Sequence, residues 1–455
     1  MSNQRLFGTD GVRGVANLEP ITSETALKLG RALAYELRNA NGRHRRILIG
    51  KDTRLSGYML ETAMASGICS MGVDTWLVGP LPTPGIAFLT RSMRADAGVV
   101  ISASHNPYQD NGIKFFSSEG FKLDDATERR IEELVFDERA LARFRAHGSD
   151  IGKAARIDDA IGRYLVFLKN CVPRTVTFDG LKIVIDCANG AGYKVGPDAF
   201  EELGAEIAAI GIDPNGTNIN DGCGAVYPER LCEEVTRIGA DVGIALDGDG
   251  DRVMIADERG ELFDGDDVMA ALGIRMAAEG RLSGNAVVGT VMSNLGLERT
   301  LAQHGIRLIR TEVGDPAIVR EMLAHGYNLG GEQSGHVIFM DHSTTGDGLI
   351  TALLVVALMA ATRQPLSALR AMRRTPQVLE NVRVRERLPL HEMPEVGRLI
   401  SSAEEQLSGS GRLLVRYSGT EMLARVMVEG DDHAAIVTVA ETIGEAIRKH
   451  IGAEN

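Results

Sequence analysis

Asp247, Asp249 and Asp251 stand within one short stretch, Asp247-Gly248-Asp249-Gly250-Asp251-Arg252, with a glycine between successive acids. Three converging carboxylates repel one another, so they need a cation or full solvation. Hard oxygen donors suit Mg2+ or Ca2+. Apolar runs on both sides, Ile244-Ala245-Leu246 and Val253-Met254-Ile255, favour a metal site over a solvated acidic turn. An EF-hand fits poorly: Arg252 stands where that loop needs glycine, and the flanks read as strands rather than helices.

A second chemical stretch is Ser102-Ala103-Ser104-His105-Asn106-Pro107. A serine at the end of a buried strand can act as a nucleophile or carry a phosphoryl group, and a structural turn explains the same residues equally well. No GxSxG elbow surrounds Ser104, and a sequence neighbour such as His105 seldom faces it. Lys114 could return to the same loop as a base or phosphate contact; taken alone it reads as a solvated lysine. Glu332, Ser334 and His336 suit sugar hydroxyls, with the histidine able to move protons near neutral pH. Arg416, Ser418, Gly419, Thr420 and Arg425 combine guanidinium groups, hydroxyls and a glycine, a set matched to a phosphate dianion. Two glycine-rich turns carrying basic residues, Gly8–Gly14 with Arg13 and Gly50–Arg54 with Lys51, are expected phosphate cradles. The chain contains neither GxxxxGK[ST] nor GxGxxG, so nucleotide-triphosphate and nicotinamide chemistry lose support.

The elements that must position these residues repeat. RILIG (46–50), TWLVG (75–79) and AGVVIS (97–102) read as strands separated by helices over 57–71 and 84–91. LKIVID (181–186), EIAAIG and DVGIAL (241–246) follow the same order, as do AVVGTV (286–291), IRLIRT (306–311) and YNLGG (327–331). Each third strand runs into one of the chemical loops. Ligands of open α/β sheets bind beyond the carboxyl ends of strands, so these loops are expected to share one cleft. After Thr375-Pro376 the pattern changes to a β-rich unit with helices. The expected fold is therefore α/β: three tandem α/β domains with mixed sheets, plus a smaller α+β C-terminal domain, around one central cleft. The expected boundaries are 1–155 (serine loop), 156–258 (metal loop), 259–373 (sugar loop) and 374–455 (phosphate-binding domain).

Composition narrows the partners. The 455 residues carry a formal charge of −13, which repels nucleic acid and anionic lipid. Five scattered cysteines without a CxxC argue against zinc or a disulfide framework. The most apolar stretch, 349–362, falls short of the roughly 20 residues a bilayer demands and reads as a buried helix. With no apolar leader at the N-terminus, the expected location is cytoplasmic.

ISASHNP (101–107), ALDGDGDR (245–252), GGEQSGH (330–336) and RYSGTE (416–421) occur in the order of the α-D-phosphohexomutase family, which the chain resembles from Phe7 to about Glu429. The opening FGTDGVRG and the QSGH form look most like members acting on glucosamine phosphate rather than on mannose or glucose phosphates. The resemblance implies that Ser104 is phosphorylated and that Asp247, Asp249, Asp251 and a phosphoserine oxygen ligate Mg2+. It implies further that Glu332 and Ser334 contact sugar hydroxyls, and that Arg416, Ser418, Gly419, Thr420 and Arg425 hold the non-reacting phosphate. Lys114, His336 and Arg13 would serve proton transfer and the passing phosphoryl group. The implied reaction interconverts glucosamine 6-phosphate and glucosamine 1-phosphate through a 1,6-bisphosphate, with glucosamine or glucose 1,6-bisphosphate as activator, feeding UDP-N-acetylglucosamine synthesis. Met422 stands where the family commonly has proline, and Tyr417 where other residues are frequent. Rival readings are a phosphomannomutase/phosphoglucomutase, a Mg2+-dependent sugar phosphatase and a non-catalytic sugar-binding module. A homodimer is left open.

Overall fold

The β-branched runs pair into four sheets in the computed structural model, which describes residues 5–8, 10–37, 45–418 and 422–453. The first sheet contains β1 (Val12–Val15), β2 (Arg46–Lys51), β3 (Asp74–Pro80), β4 (Ala97–Ile101), β5 (Asp110–Ser117) and β6 (Ala154–Arg156), in the order β1-β5-β4-β2-β3-β6. The second contains β7 (Lys182–Asp186), β8 (Glu206–Ile210), β9 (Val242–Leu246), β10 (Val253–Asp257) and β11 (Leu262–Phe263), ordered β11-β10-β9-β7-β8. The third contains β12 (Ala286–Thr290), β13 (Arg307–Thr311), β14 (Leu329–Gly331) and β15 (Val337–Phe339), ordered β13-β12-β14-β15. The fourth is wholly antiparallel: β16 (Gln377–Arg383), β18 (Leu423–Gly430) and β17 (Gly411–Tyr417).

One motif recurs in the first three sheets. A central strand (β2, β7, β12) has its second strand parallel on one side and its third parallel on the other. The third strand then turns back into an antiparallel neighbour, β4 into β5, β9 into β10, β14 into β15. The expected mixed sheets are thus explained by these return strands, of which β5 left no clear signature in the sequence. Its buried middle, Asn111–Phe116, includes polar Asn111 and Lys114, which blur the apolar run.

The apolar stretch over 349–362 forms the buried helix Gly348–Thr362, capped by Asp347, whose carboxylate accepts from Leu349 N and Ile350 N at 3.0 Å. That helix lies in a core shared by the first three units, from Leu48 and Val78 through Ile183 and Ile244 to Val287 and Leu353. The C-terminal unit has its own core, built from Val382, Val396, Val426, Ile443 and neighbours. Among the described residues no helix is long and apolar enough to cross a membrane.

Candidate active site

Three chemical loops occupy equivalent places, each joining a buried parallel strand to its antiparallel return. All three therefore leave the carboxyl edge of their sheet. Residues from each line one cleft of about 460 Å³: His105 from the first, Asp247 and Arg252 from the second, Gln333 and Ser334 from the third. Glycine permits the close approach. A Cβ on Gly248 would meet the Ser104 carbonyl oxygen at 2.6 Å, and one on Gly335 (φ +88°) would meet that of Val253 at 2.0 Å.

The Ser104 hydroxyl donates to Asp247 Oδ2 at 2.7 Å. Asp247, Asp249 and Asp251 are all buried, and each offers an oxygen within 4.8 Å of the others. Burial, then the charges of Asp251 and Asp249, drive the Asp247 pKa well above the usual carboxylate range. Such a trio needs a proton or a cation. Asp249 Oδ1 and Asp251 Oδ1 are buried without a hydrogen-bond partner, a condition that costs about 1–3 kcal/mol or more per group. Orphaned hard oxygens in a tight cluster fit a divalent cation such as Mg2+. The flanks are strands β9 and β10, and Glu258 is engaged by Ser367 N at 3.3 Å, so the EF-hand alternative fails.

Ser104 itself has φ +52°, a left-handed backbone that costs a β-carbon residue about 1 kcal/mol or more. His105 Nδ1 lies 3.2 Å from Ser104 Oγ, so these sequence neighbours do face one another. Burial, aided by Arg252 and Arg13, pushes the His105 pKa down to about 4 and keeps the ring neutral.

Strand β5 turns Lys114 inward, where it is 2% exposed rather than solvated. Its Nζ lies 3.2 Å from Asp249 Oδ2 and 3.1 Å from Asp10 Oδ2. Burial opposes its charge, but Asp10 and Asp249 outweigh that and raise its pKa. Arg13 pairs with Asp10, and its buried Nε has no hydrogen-bond partner. Beyond Asp10 an alternating chain of charge crosses the domains. Lys122 Nζ bridges Asp10 Oδ1 at 2.6 Å and Asp315 Oδ2 at 2.9 Å, and Asp315 Oδ1 lies 3.0 Å from His336 Nε2. His336 Nδ1 then faces Asp251 Oδ2 at 3.7 Å. Burial alone would discharge His336, but Asp315 and Asp251 raise its pKa to about 10. That shift favours the charged ring, and with it a role as donor and counter-charge beside the aspartates.

Neither Lys122 nor Asp315 carries a signal in the sequence. Lys122 belongs to no motif, and Asp315 before Pro316 reads as an ordinary helix start. Thr83, which donates to Asp249 Oδ2 at 2.7 Å, carries no signal beyond its place at the head of a helix.

Glu332 is half-buried, its Oε1 accepting from Gly314 N at 3.0 Å, while Ser334 is exposed in the cleft wall. Arg416 and Arg425 face each other across β17 and β18, and burial together with the Arg425 charge lowers the Arg416 pKa. Paired guanidinium groups of this kind favour an anion. Ser418 follows β17 and donates its backbone N–H to Leu423 O at 2.8 Å. Gly419 and Thr420 lie outside the described residues. The cleft lining itself draws on the first three units, so these arginines form a separate basic element on the C-terminal sheet.

The turn over 50–54 is not a phosphate cradle. Lys51 is buried against Glu61 with its Nζ 3.8 Å from the Tyr58 ring centre, and the Arg54 guanidinium is spent on main-chain carbonyls. Neither cation is available to a ligand.

Comparison with known proteins agrees with this architecture. The four domain models of the phosphoglucomutase/phosphomannomutase family match in series: α/β/α domain I over residues 4–142, domain II over 162–260, domain III over 264–375 and the C-terminal domain over 379–446. A phosphoglucosamine mutase of Anaeromyxobacter sp. is 60% identical over 99% of this chain and 96% of its own length. One of Syntrophotalea carbinolica is 56% identical, with 99% and 98% covered. A phosphoglucomutase/phosphomannomutase family protein of Burkholderia thailandensis superposes with a TM-score of 0.82 at 23% identity, covering all of both chains. An Aspergillus fumigatus N-acetylphosphoglucosamine mutase, solved with GlcNAc-6P and magnesium, gives 0.67 at 19% identity over 98% of this chain and 95% of its own. With every domain model matched in order along nearly its whole length, the chain belongs to the phosphoglucomutase/phosphomannomutase family and is an isomerase of the mutase class.

Proposed function

We propose that the protein interconverts glucosamine 6-phosphate and glucosamine 1-phosphate in the cytoplasm, with phosphoserine at Ser104 as the carrier and Mg2+ held by Asp247, Asp249, Asp251 and a phosphoserine oxygen. The observation behind this function is the Ser104 hydroxyl 2.7 Å from Asp247, inside an acidic trio with orphaned oxygens. The amino sugar is supported by the name its 56–60% identical relatives carry.

Glucosamine 6-phosphate binds with its hydroxyls on Glu332 and Ser334 and its phosphate on Arg416, Ser418, Gly419, Thr420 and Arg425. Its O1 attacks the phosphorus on Ser104, and that O–P bond forms as the Oγ–P bond breaks. The O1 proton ends on Ser104 Oγ, relayed through the groups beside it, of which Lys114 and His336 are the charged donors. Arg13, Lys114 and His336 neutralise the passing phosphoryl, since phosphoryl transfer needs mainly alignment and charge neutralisation. Mg2+, when bound, supplies counter-charge for the phosphoryl oxygens. The resulting 1,6-bisphosphate turns over in the cleft and presents its 6-phosphoryl to Ser104, leaving glucosamine 1-phosphate. Added glucosamine or glucose 1,6-bisphosphate primes the serine.

An isomerisation assay over glucosamine, glucose and mannose 6-phosphates, with and without 1,6-bisphosphate, tests this. Glucosamine 6-phosphate should turn over fastest and be stimulated by bisphosphate. Faster turnover of mannose or glucose phosphate would reassign the substrate, and phosphate release without isomerisation would make the enzyme a phosphatase.

A further inference from the structure

Arg54 is fully buried, at 0% exposure, and takes no part in the chemistry above. Its Nη2 donates to the carbonyl oxygens of Ser104 at 2.9 Å and Asn106 at 2.8 Å. Its Nη1 donates to those of Pro107 and, at 3.1 Å, Asp110. Nε donates to Asp52 Oδ2 at 2.8 Å. The same Asp52 oxygen accepts from Ser102 Oγ at 2.6 Å, and Ser102 Oγ accepts from Ser104 N at 2.9 Å. From the second domain, Asn220 Nδ2 donates to the same pair of carbonyls, Ser104 O at 2.9 Å and Asn106 O at 3.2 Å.

A guanidinium spent on main-chain oxygens fixes the path of the chain rather than binding a ligand. Here the path is an unfavourable one, since Ser104 sits at φ +52°. Released, the loop would relax towards ordinary backbone angles and carry Oγ away from Asp247. We propose that Arg54 and Asn220 are positioning residues that grip the Ser104 and Asn106 carbonyls from two domains and so keep the Ser104 hydroxyl in register with the aspartate trio. This role rests on Ser104 being the phosphoryl carrier. It predicts a defect in transfer rather than in binding, because the sugar and phosphate contacts lie on other loops. It also predicts leakage, since a phosphoserine out of register loses phosphate to water instead of to the sugar.

The test uses the full-length enzyme with Mg2+ and glucose 1,6-bisphosphate, comparing Asn220→Ala and Arg54→Lys with wild type. The kcat of each should fall about 10–100-fold, the loss expected of misplacement by about 1 Å, with KM for glucosamine 6-phosphate unchanged within about twofold. Phosphate released per isomerisation should rise in both, a readout that a purely structural role would leave alone. If Arg54→Lys fails to fold, Asn220→Ala decides by itself. Folded variants with wild-type kcat and wild-type phosphate release, beside an inactive Ser104→Ala, would overturn the positioning role alone. An active Ser104→Ala would instead remove the carrier and the positioning role with it.

Discussion

At the scale of single residues, the site concentrates opposite charges in a buried volume. Removing one member should therefore have a selective effect. Ser104→Ala should abolish mutase turnover while circular dichroism and Tm stay near wild type, because among the described residues the hydroxyl bonds to Asp247 and His105 alone. Residual isomerisation would show that another group carries the phosphoryl. Asp249→Asn should weaken Mg2+ binding about tenfold or more, as a hard anionic donor becomes neutral. An unchanged calorimetric titration would place the metal elsewhere. The three aspartates stand out by their spacing, whereas Ser104, Lys114 and His336 take their roles from the family resemblance, since Lys114 taken alone reads as solvated and Ser104 equally well as part of a turn. Lys122, Asp315 and Asn220 were not legible, because each earns its contact from a partner more than 100 residues away or in another domain.

At the scale of elements, a turn between a parallel strand and its antiparallel return is what makes each loop functional. That turn forces successive loops to the same sheet edge, and glycines let them touch. Gly248→Ala should drive a methyl into the Ser104 carbonyl at 2.6 Å and Asn220 Nδ2 at 2.8 Å, atoms that are themselves held fast. A fall in kcat of about tenfold or more is expected, with little change in Mg2+ affinity. Undiminished turnover would mean that the loops tolerate separation. The helix starting at Gly265 offers a different measurement. Burial, then Asp264, raises the Asp266 pKa from 3.8 to about 7, with Asn294 N, Ser293 and the nearby Arg374 only partly opposing this. The folded state thus binds more protons than the unfolded one between about pH 4 and 7, so this group's contribution to stability falls as pH rises through that window. Asp266→Asn should flatten that slope and raise Tm at pH 8 by roughly 2 °C. A slope unaltered between pH 4 and 7 would refute the assignment.

At the scale of the whole molecule, one core spans the first three units, beside a further core within the first, while the C-terminal unit has a core that joins none of these. Its junction with the third unit is largely polar. Asn294 exchanges hydrogen bonds with Thr375 N and O at 2.9 and 3.1 Å and reaches Glu429 Oε1 at 3.0 Å, while Arg299 pairs with Asp431 at 2.7 Å. A separately cored unit on a polar hinge can rotate without exposing much apolar surface. The radius of gyration should therefore fall when sugar bisphosphate is added, as the Arg416–Arg425 pair closes over the cleft. Superimposable scattering curves with and without ligand would count against such closure.

The sequence alone determined the alternation of strands and helices, the tandem units and the loops that carry chemistry, because periodicity and local residue type are short-range properties. The buried helix after Asp347 and the strands flanking the acidic trio could be read in the same way. Only the tertiary structure decided which charges meet. The turn over 50–54 resembled a phosphate cradle until Arg54 was seen committed to four main-chain carbonyls. His336 carried the ordinary histidine expectation until Asp315 and Asp251 closed around it and raised its pKa to about 10. Both outcomes turn on burial and on partners brought from distant parts of the chain, and such distances are set by packing rather than by spacing.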